Sequence, residues 1–114
     1  MNDLHEHHCI PCKEMASPFT IDQAREWLRK VPEWEISPAG DAIQRVFEFK
    51  NFYQTMAFVN AVAWVAHRED HHPNLEVGYK HLKLSYSTHF IGGLSGNDFI
   101  CAAKVNALLA TTPP

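Results

Sequence analysis

The chain has 114 residues, of which 46% are hydrophobic and 20% are charged, and its formal net charge at pH 7 is −3. This is the balance of one folded domain with a single core, and it excludes a disordered chain. No block of basic residues occurs and no apolar run has the length of a membrane span, so neither a nucleic-acid-binding surface nor a membrane anchor is expected.

The first eighteen residues, MNDLHEHHCIPCKEMASP, are polar and rich in histidine. They lack the basic and apolar regions of a signal peptide, so we expect a cytoplasmic protein. The odd number of cysteines, which are Cys9, Cys12 and Cys101, does not resemble a secreted disulfide framework and favours the same compartment. We predict a flexible N-terminal segment at residues 1–18 and a single domain at residues 19–112.

The first predicted helix lies in TIDQAREWLRKV, where Thr20 and Gln23 have the spacing of a capping box and Pro32 ends the pattern. EWEIS and AIQRVFEFK follow as short strands separated by PAGD, which predicts a hairpin. From Asn51 to about Arg68, apolar residues recur at helical spacing around most of the circumference. We therefore expect this helix to be buried on two sides, with the second side against another subunit.

A second hairpin is predicted in LEVGY and HLKLSYSTHF, where apolar and polar residues alternate with a period of two. The turn GGLSGND then leads into a last helix from residue 96 to about residue 110, with Ser95 as its N-cap. The element order is α-β-β-α-β-β-α. Because hairpins pair their strands antiparallel, the sequence predicts an α+β fold, a four-stranded antiparallel sheet with helices packed on one face.

Eight histidines are the unusual feature of the composition, since imidazole changes charge near neutral pH. His71 and His72 lie side by side in EDHHPN, followed by Pro73, which restricts the backbone of its neighbour. His89 ends the last predicted strand, and Asp98 lies in the first turn of the last helix. The second hairpin reverses the chain between them, so we predict that these histidines and the aspartate form a proton-handling site at one edge of the sheet.

Each candidate also has a purely structural interpretation. A histidine pair in a loop is often only solvated, and His89 can simply end a strand. Asp98 and Ser95 form an S-x-x-D pattern that caps a helix and complements its dipole. A metal site from the same ligands is a further alternative, although adjacent histidines on a tight loop fit one coordination sphere poorly. HEHHCIPC has no second C-x-x-C and predicts weak metal affinity rather than a structural site.

The segment HREDHHPNLEVGYKHLKLSYSTHFIGGLSGND resembles the signature of the pterin-4a-carbinolamine dehydratases. The matching positions are His67, His71, His72, Pro73, Tyr79, His89 and Asp98, with the Gly-Leu-Ser turn at residues 93–95. The similarity spans about residues 20–110 by element order. The chain departs from the commonest residues of the pattern at His67, Leu75 and Asn97.

The resemblance implies dehydration of 4a-hydroxytetrahydrobiopterin (pterin-4a-carbinolamine) to quinonoid dihydropterin and water, which recycles the cofactor of aromatic amino-acid hydroxylases. It implies no metal or cofactor of the protein's own, and a homodimer or homotetramer. His72 and His89 are expected to transfer protons at the departing hydroxyl. His71 is expected to act as base or to orient the pterin, and Asp98 to fix a histidine tautomer. Predicted substrate contacts are Asp70, Pro73, Ser87, Thr88 and Phe90.

A non-enzymatic role is the alternative, because animal members of the resembled family also act as dimerisation partners and transcriptional coactivators of a homeodomain protein. Such a role would use the helical faces and would tolerate loss of His72. The enzymatic role would not, so the same substitution separates the two.

Overall fold

The computed structural model describes residues 3–111. Its helices are α1 (Ile21–Leu28), α2 (Phe52–Glu69) and α3 (Gly96–Thr111), and its strands are β1 (Glu35–Ile36), β2 (Ile43–Glu48), β3 (Asn74–Val77) and β4 (His81–Tyr86). Short 3-10 turns occur at Leu4–Glu6, Cys12–Glu14 and His89–Ile91. The predicted α-β-β-α-β-β-α order is confirmed. The first two residues and the predicted domain end at residue 112 lie outside the described part.

The four strands form one antiparallel sheet in the order β1-β2-β4-β3. Both predicted hairpins are present, and the pairing of β2 with β4 joins them, with Ile43 opposite Tyr86 and Phe47 opposite Leu82. Residues that lie opposite each other point to the same face of a sheet, and all four of these side chains are buried. They form the face on which the helices pack, which confirms the α+β arrangement.

The capping box of α1 is present. Thr20 Oγ1 accepts from the Gln23 N–H at 3.2 Å, and Gln23 Oε1 accepts from the Thr20 N–H at 2.9 Å. The helix ends at Leu28, short of Pro32, because the chain turns there and brings Trp34 into the core. The Trp34 indole N–H then donates to Asn106 Oδ1 on α3 at 2.8 Å, which fixes this corner of the fold.

Helix α2 begins after its N-cap Asn51, whose side chain accepts from the Gln54 N–H. Its buried side carries Phe58 and Val62. The opposite side exposes Trp64, so in this single chain the predicted second buried side faces solvent. Within residues 3–111, no helix combines the length and apolar composition needed to cross a membrane.

The N-terminal segment, residues 3–18, packs along α3 and the end of α2. Leu4 is buried in the core, and the Lys104 ammonium on α3 donates to the His5 carbonyl at 2.8 Å. The Cys9 N–H donates to Glu69 Oε1 at 2.7 Å. The polar composition of the segment gives no sign of these contacts. These contacts do not measure motion, so the flexibility of residues 1–18 stays a prediction.

Candidate active site

In the loop between α2 and β3, two adjacent histidines have different environments. Asp70 ends α2 with a left-handed φ of 54°, and the His71 N–H then donates to the Ala66 carbonyl at 3.2 Å. His71 is 8% exposed, whereas His72 is exposed and Pro73 is buried. The two imidazoles therefore point in different directions, which agrees with the stiffness that proline gives the loop.

His71 makes the shortest polar contact of the loop. Its Nε2 lies 2.6 Å from Asp98 Oδ1, and the Asp98 residue is 0% exposed. The His71 ring stacks on Tyr86, with ring centroids 5.9 Å apart and planes 9° from parallel. An ionised carboxylate only accepts hydrogen bonds, so His71 donates from Nε2 and, when neutral, keeps its lone pair on Nδ1. The expected role of Asp98 in fixing a histidine tautomer fits this contact and stays a prediction.

The second carboxylate oxygen of Asp98 is also satisfied. Oδ2 accepts from the Ser95 N–H at 2.9 Å and from the Thr88 hydroxyl at 2.9 Å. The Ser95 hydroxyl lies 2.7 Å from Thr88 Oγ1 and accepts from the Asn97 N–H at 3.2 Å. Asp98 therefore caps α3 with one oxygen, as the S-x-x-D pattern predicts, and contacts His71 with the other, while its part in catalysis stays a prediction.

A small loop presents His89. The Thr88 N–H donates to the Gly93 carbonyl at 2.8 Å, and this bridge closes the loop around the 3-10 turn His89–Ile91. His89 is exposed, and Phe90 is 67% exposed. The neck of the loop, where Thr88 pairs with Gly93, is closely packed, because a Cβ added to Gly93 would lie 2.7 Å from Pro18 Cβ. The position of His89 thus depends on the same Thr88 that binds Asp98.

The predicted site residues divide into two groups. His71, Thr88 and Asp98 share one hydrogen-bonded network. Within residues 3–111, no hydrogen bond joins His72 or His89 to that network. Of the remaining predicted substrate contacts, Asp70 and Phe90 are exposed, Ser87 is half-buried and Pro73 is buried. Their contact with substrate stays a prediction.

The N-terminal segment borders this network through Asn97, a position that the resemblance marks as a departure. The Ile10 N–H donates to Asn97 Oδ1 at 3.0 Å, and Asn97 Nδ2 donates back to the Ile10 carbonyl at 2.8 Å. The 3-10 turn Cys12–Glu14 then contacts the 3-10 turn His89–Ile91. Burial raises the pKa of the Cys12 thiol, and the negative charge of Asp98 raises it further. The segment therefore adjoins the candidate site, and no sequence motif signalled this.

Tyr86 lies beneath His71 as a buried phenol. Burial raises its pKa well above 10, with smaller contributions from Cys101, Cys9 and Asp98. Its hydroxyl is buried and has no hydrogen-bond partner among the described residues. Tyr86 is therefore a neutral stacking surface for the imidazole. Its role was not predicted, although the two-residue period already places it on the buried face beside Thr88.

Two grooves lie away from the candidate site. One, of about 280 Å³, is lined by His5, His8, Trp64, Val65, Arg68, Glu69, Lys104, Ala107 and Leu108. The other, of about 340 Å³, is lined by His5, Lys30, Pro32, Ala103, Asn106, Ala107 and Ala110. Neither includes the candidate histidines or Asp98. In the described part of the chain, no group of three or more His, Cys, Asp or Glu side chains has an arrangement that could hold a metal ion.

The sequence is similar to one family over most of its length. The family model described as Pterin 4 alpha carbinolamine dehydratase matches residues 17–108. A protein of Nitrosomonas eutropha, provisionally named a pterin-4-alpha-carbinolamine dehydratase, is 53% identical over 108 residues that cover 94% of each chain. A protein of Xanthomonas campestris pv. campestris with the same provisional name is 55% identical over 107 residues, which cover 92% of this chain and 89% of the relative.

Solved structures share the fold. The crystal structure of a transcriptional coactivator/pterin dehydratase from Brucella melitensis aligns with a TM-score of 0.77 at 30% identity, over 81% of this chain and 98% of that one. A pterin dehydratase-like protein, identified as a RuBisCO assembly factor in the alpha-carboxysome, aligns with a TM-score of 0.60 at 22% identity, over 70% and 93%. The second alignment shows likeness of fold alone.

Proposed function

Because the chain belongs to the pterin-4a-carbinolamine dehydratase family, we propose that it removes water from 4a-hydroxytetrahydrobiopterin by imidazole acid–base catalysis. The product would be quinonoid dihydropterin, which returns the cofactor of aromatic amino-acid hydroxylases to its cycle. The observation that carries the proposal is the buried His71–Asp98 pair next to the exposed His72. One imidazole of the loop is fixed, and its neighbour is accessible to a substrate.

Loss of water from the carbinolamine needs a proton at the departing C4a hydroxyl and removal of a proton from N5. An imidazole titrates near neutral pH and can serve as either partner. His72 and His89 are accessible, so we assign proton transfer at the hydroxyl to these two. The nitrogen lone pair of the pterin helps to expel the hydroxyl, and the assignment requires no metal and no further cofactor.

His71 is assigned a different part. Its side chain is 7% exposed and its Nε2 is bonded to Asp98, so only Nδ1 is left to act as a base or to orient the pterin. Thr88, which the sequence predicts as a substrate contact, is 1% exposed and donates its hydroxyl to Asp98. We propose that Thr88 is a positioning residue, which acts through Asp98 and through the neck of the His89 loop.

We further propose a homodimer or homotetramer. Strand β3 is an edge of the sheet and exposes Leu75 and Val77, and α2 exposes Tyr53 and Trp64. Apolar edge strands and helix faces of this kind are commonly covered by a partner. The aromatic amino-acid hydroxylase would be a functional partner only, and the cytoplasmic location stays a prediction.

The test is turnover of freshly generated carbinolamine, followed as quinonoid dihydropterin absorbance against the uncatalysed rate. His72→Ala and His89→Ala should each lower kcat/KM by ~10²-fold or more. His81→Ala, on the opposite face of the sheet beside Glu48, is the matched control and should retain wild-type turnover. Near-normal rates for both site variants would refute the acid–base assignment.

A non-enzymatic role is the second candidate, because the Brucella melitensis relative is named a transcriptional coactivator as well as a pterin dehydratase. A binding function would rest on the exposed helical and edge surfaces and would survive His72→Ala. Absence of catalysis by the wild-type protein, together with an intact fold, would favour this candidate.

A further inference from the structure

Two cysteines from opposite ends of the chain meet beside the candidate site. Cys9 Sγ lies 3.6 Å from Cys101 Sγ, although the two residues are 92 positions apart. Cys101 is 0% exposed on α3, and Cys9 is half-buried on the N-terminal segment. All three cysteines of the chain are free thiols. The acid–base chemistry proposed above uses none of them.

The backbone around Cys9 is held independently of its thiol. Its own N–H donates to Glu69 Oε1, and the next residue, Ile10, exchanges two hydrogen bonds with the Asn97 amide. The Cys9 thiol also lies 3.7 Å from the Asn97 carbonyl. These bonds anchor the segment to α2 and α3 on both sides of the sulfur. The closeness of Cys9 to Cys101 is therefore a property of the docked backbone.

Burial of Glu69 alone would raise its pKa, but the Cys9 N–H, His8 and Lys104 together hold the pKa of this carboxyl below its usual value. Glu69 is thus an anion that binds the Cys9 backbone, with the Lys104 ammonium 3.7 Å away. The anchor is charge-assisted, and hydrogen bonds of this kind are stronger than neutral ones.

We propose that Cys9 and Cys101 form an intrachain disulfide under oxidising conditions, which fastens the N-terminal segment covalently to α3 beside Asn97 and Asp98. The sulfur atoms must approach from 3.6 Å to about 2.05 Å, the length of a disulfide bond. Cys12 is not required for the bond. It begins the 3-10 turn Cys12–Glu14, which contacts the 3-10 turn His89–Ile91.

With hydrogen peroxide as the oxidant, the reaction balances in two steps. The Cys9 thiolate attacks one peroxide oxygen, the O–O bond breaks, and a sulfenic acid forms while the other oxygen leaves as water. The Cys101 thiolate then attacks the sulfenic sulfur, the S–S bond forms, and the second oxygen leaves as water. Two thiols and one peroxide give one disulfide and two waters. Cys9 is the site of first attack because Cys101 is enclosed.

The reduced form is the resting state. The hydrogen bond to Cys101 is the largest influence on the pKa of the Cys9 thiol, and with burial it raises that pKa far above its usual value. A thiol reacts with oxidants through its thiolate, so the raised pKa slows the attack of Cys9 on peroxide, and the pair stays reduced until oxidant is abundant. The bond is therefore a response to oxidant, as cytosolic disulfides commonly are.

The test uses the full-length protein, treated with hydrogen peroxide or oxidised glutathione and then alkylated. Before alkylation, the intact mass should fall by two hydrogen atoms, and dithiothreitol should restore it. Alkylation under denaturing conditions should then add one group to the oxidised protein and three groups to the reduced protein. After trypsin, the peptide of residues 1–13, which contains both Cys9 and Cys12, should be joined to the peptide that contains Cys101, with the alkyl group on Cys12. Because a 92-position loop is closed, Tm of the oxidised protein should exceed that of the reduced protein by on the order of 10 °C.

Cysteine variants identify which two cysteines form the disulfide. Cys12→Ser should still form the bond, and Cys9→Ser should not. Cys9 is half-buried, so its variant is expected to fold even if Cys101→Ser is not. A bond between Cys9 and Cys12, a bond between two chains, or oxidation of Cys12 alone would overturn the proposal. In the wild-type protein, fragmentation of the linked peptide shows whether Cys12 or Cys9 carries the alkyl group, and an alkyl group on Cys9 would also overturn the proposal.

Discussion

The candidate active site has a buried half and an exposed half, and they meet within one loop. In the buried half, His71 is held by Asp98, stacked on Tyr86 and nearly inaccessible. In the exposed half, His72 and His89 are accessible and stand outside the Asp98 network. The lesson is that adjacency in the sequence does not give two histidines one role. The buried half should govern stability and orientation, and the exposed half should govern turnover.

The largest stability loss is expected from Asp98→Asn. The amide keeps the volume of the side chain but replaces a carboxylate oxygen with a donor, so His71 can no longer donate from Nε2 while Ser95 and Thr88 keep their acceptor, and the charge-assisted contact is lost. We expect the free energy of unfolding to fall by about 2–4 kcal/mol in urea denaturation. Asp70→Asn is the control, since Asp70 is exposed and asparagine tolerates its left-handed φ. A loss of stability in the control alone would contradict the division.

A smaller effect is expected from Gly93→Ala, at the neck that connects the two halves. The new methyl group would lie 2.7 Å from Pro18 Cβ, so the N-terminal segment or the His89 loop must move. In thermal unfolding, the free energy of unfolding should fall by about 1–2 kcal/mol, and turnover should fall because His89 shifts. Gly78→Ala, whose added Cβ has no neighbour closer than 3.6 Å, should leave both quantities near wild type. Equal losses in both variants would disprove a special role for the neck.

The smallest effect is expected from Tyr86→Phe. The buried hydroxyl has no partner within the described residues, and removal of an unsatisfied polar group is neutral or stabilising. The ring that stacks on His71 is retained. The free energy of unfolding should stay within about 1 kcal/mol of wild type or rise, and turnover should persist. A larger loss would mean that the hydroxyl is bonded in solution.

Local patterns were enough to predict most of the fold. The spacing of residues in the sequence predicts the capping box at Thr20 and the two hairpins, and the structure contains all three. The two-residue period of HLKLSYST puts Thr88 on the same face of the strand as Tyr86, and both residues are buried in the structure. The pairing of β2 with β4 was not predictable in the same way, because it joins segments that are distant in the chain.

The inner geometry of the site was only partly predictable. Pro73 indicates that His71 and His72 diverge, but which of them is buried depends on Asp98 and Tyr86, which approach from other elements. The docking of the N-terminal segment had little sequence signal, since backbone groups of Cys9 and Ile10 bond Glu69 and Asn97, and its side-chain contact to Glu69 comes from the exposed His8. Because almost every residue has the same backbone N–H and C=O groups, the sequence does not show which of them will make such contacts.

The central claim is tested most directly by measuring kcat/KM and the free energy of unfolding for both His71→Gln and His72→Gln. His72→Gln should lose ~10²-fold or more in kcat/KM while its stability stays within about 0.5 kcal/mol of wild type. His71→Gln should lose about 2 kcal/mol of stability or more, because Asp98 is left buried without its imidazole partner. Wild-type turnover in His72→Gln, or full stability in His71→Gln, would contradict the account.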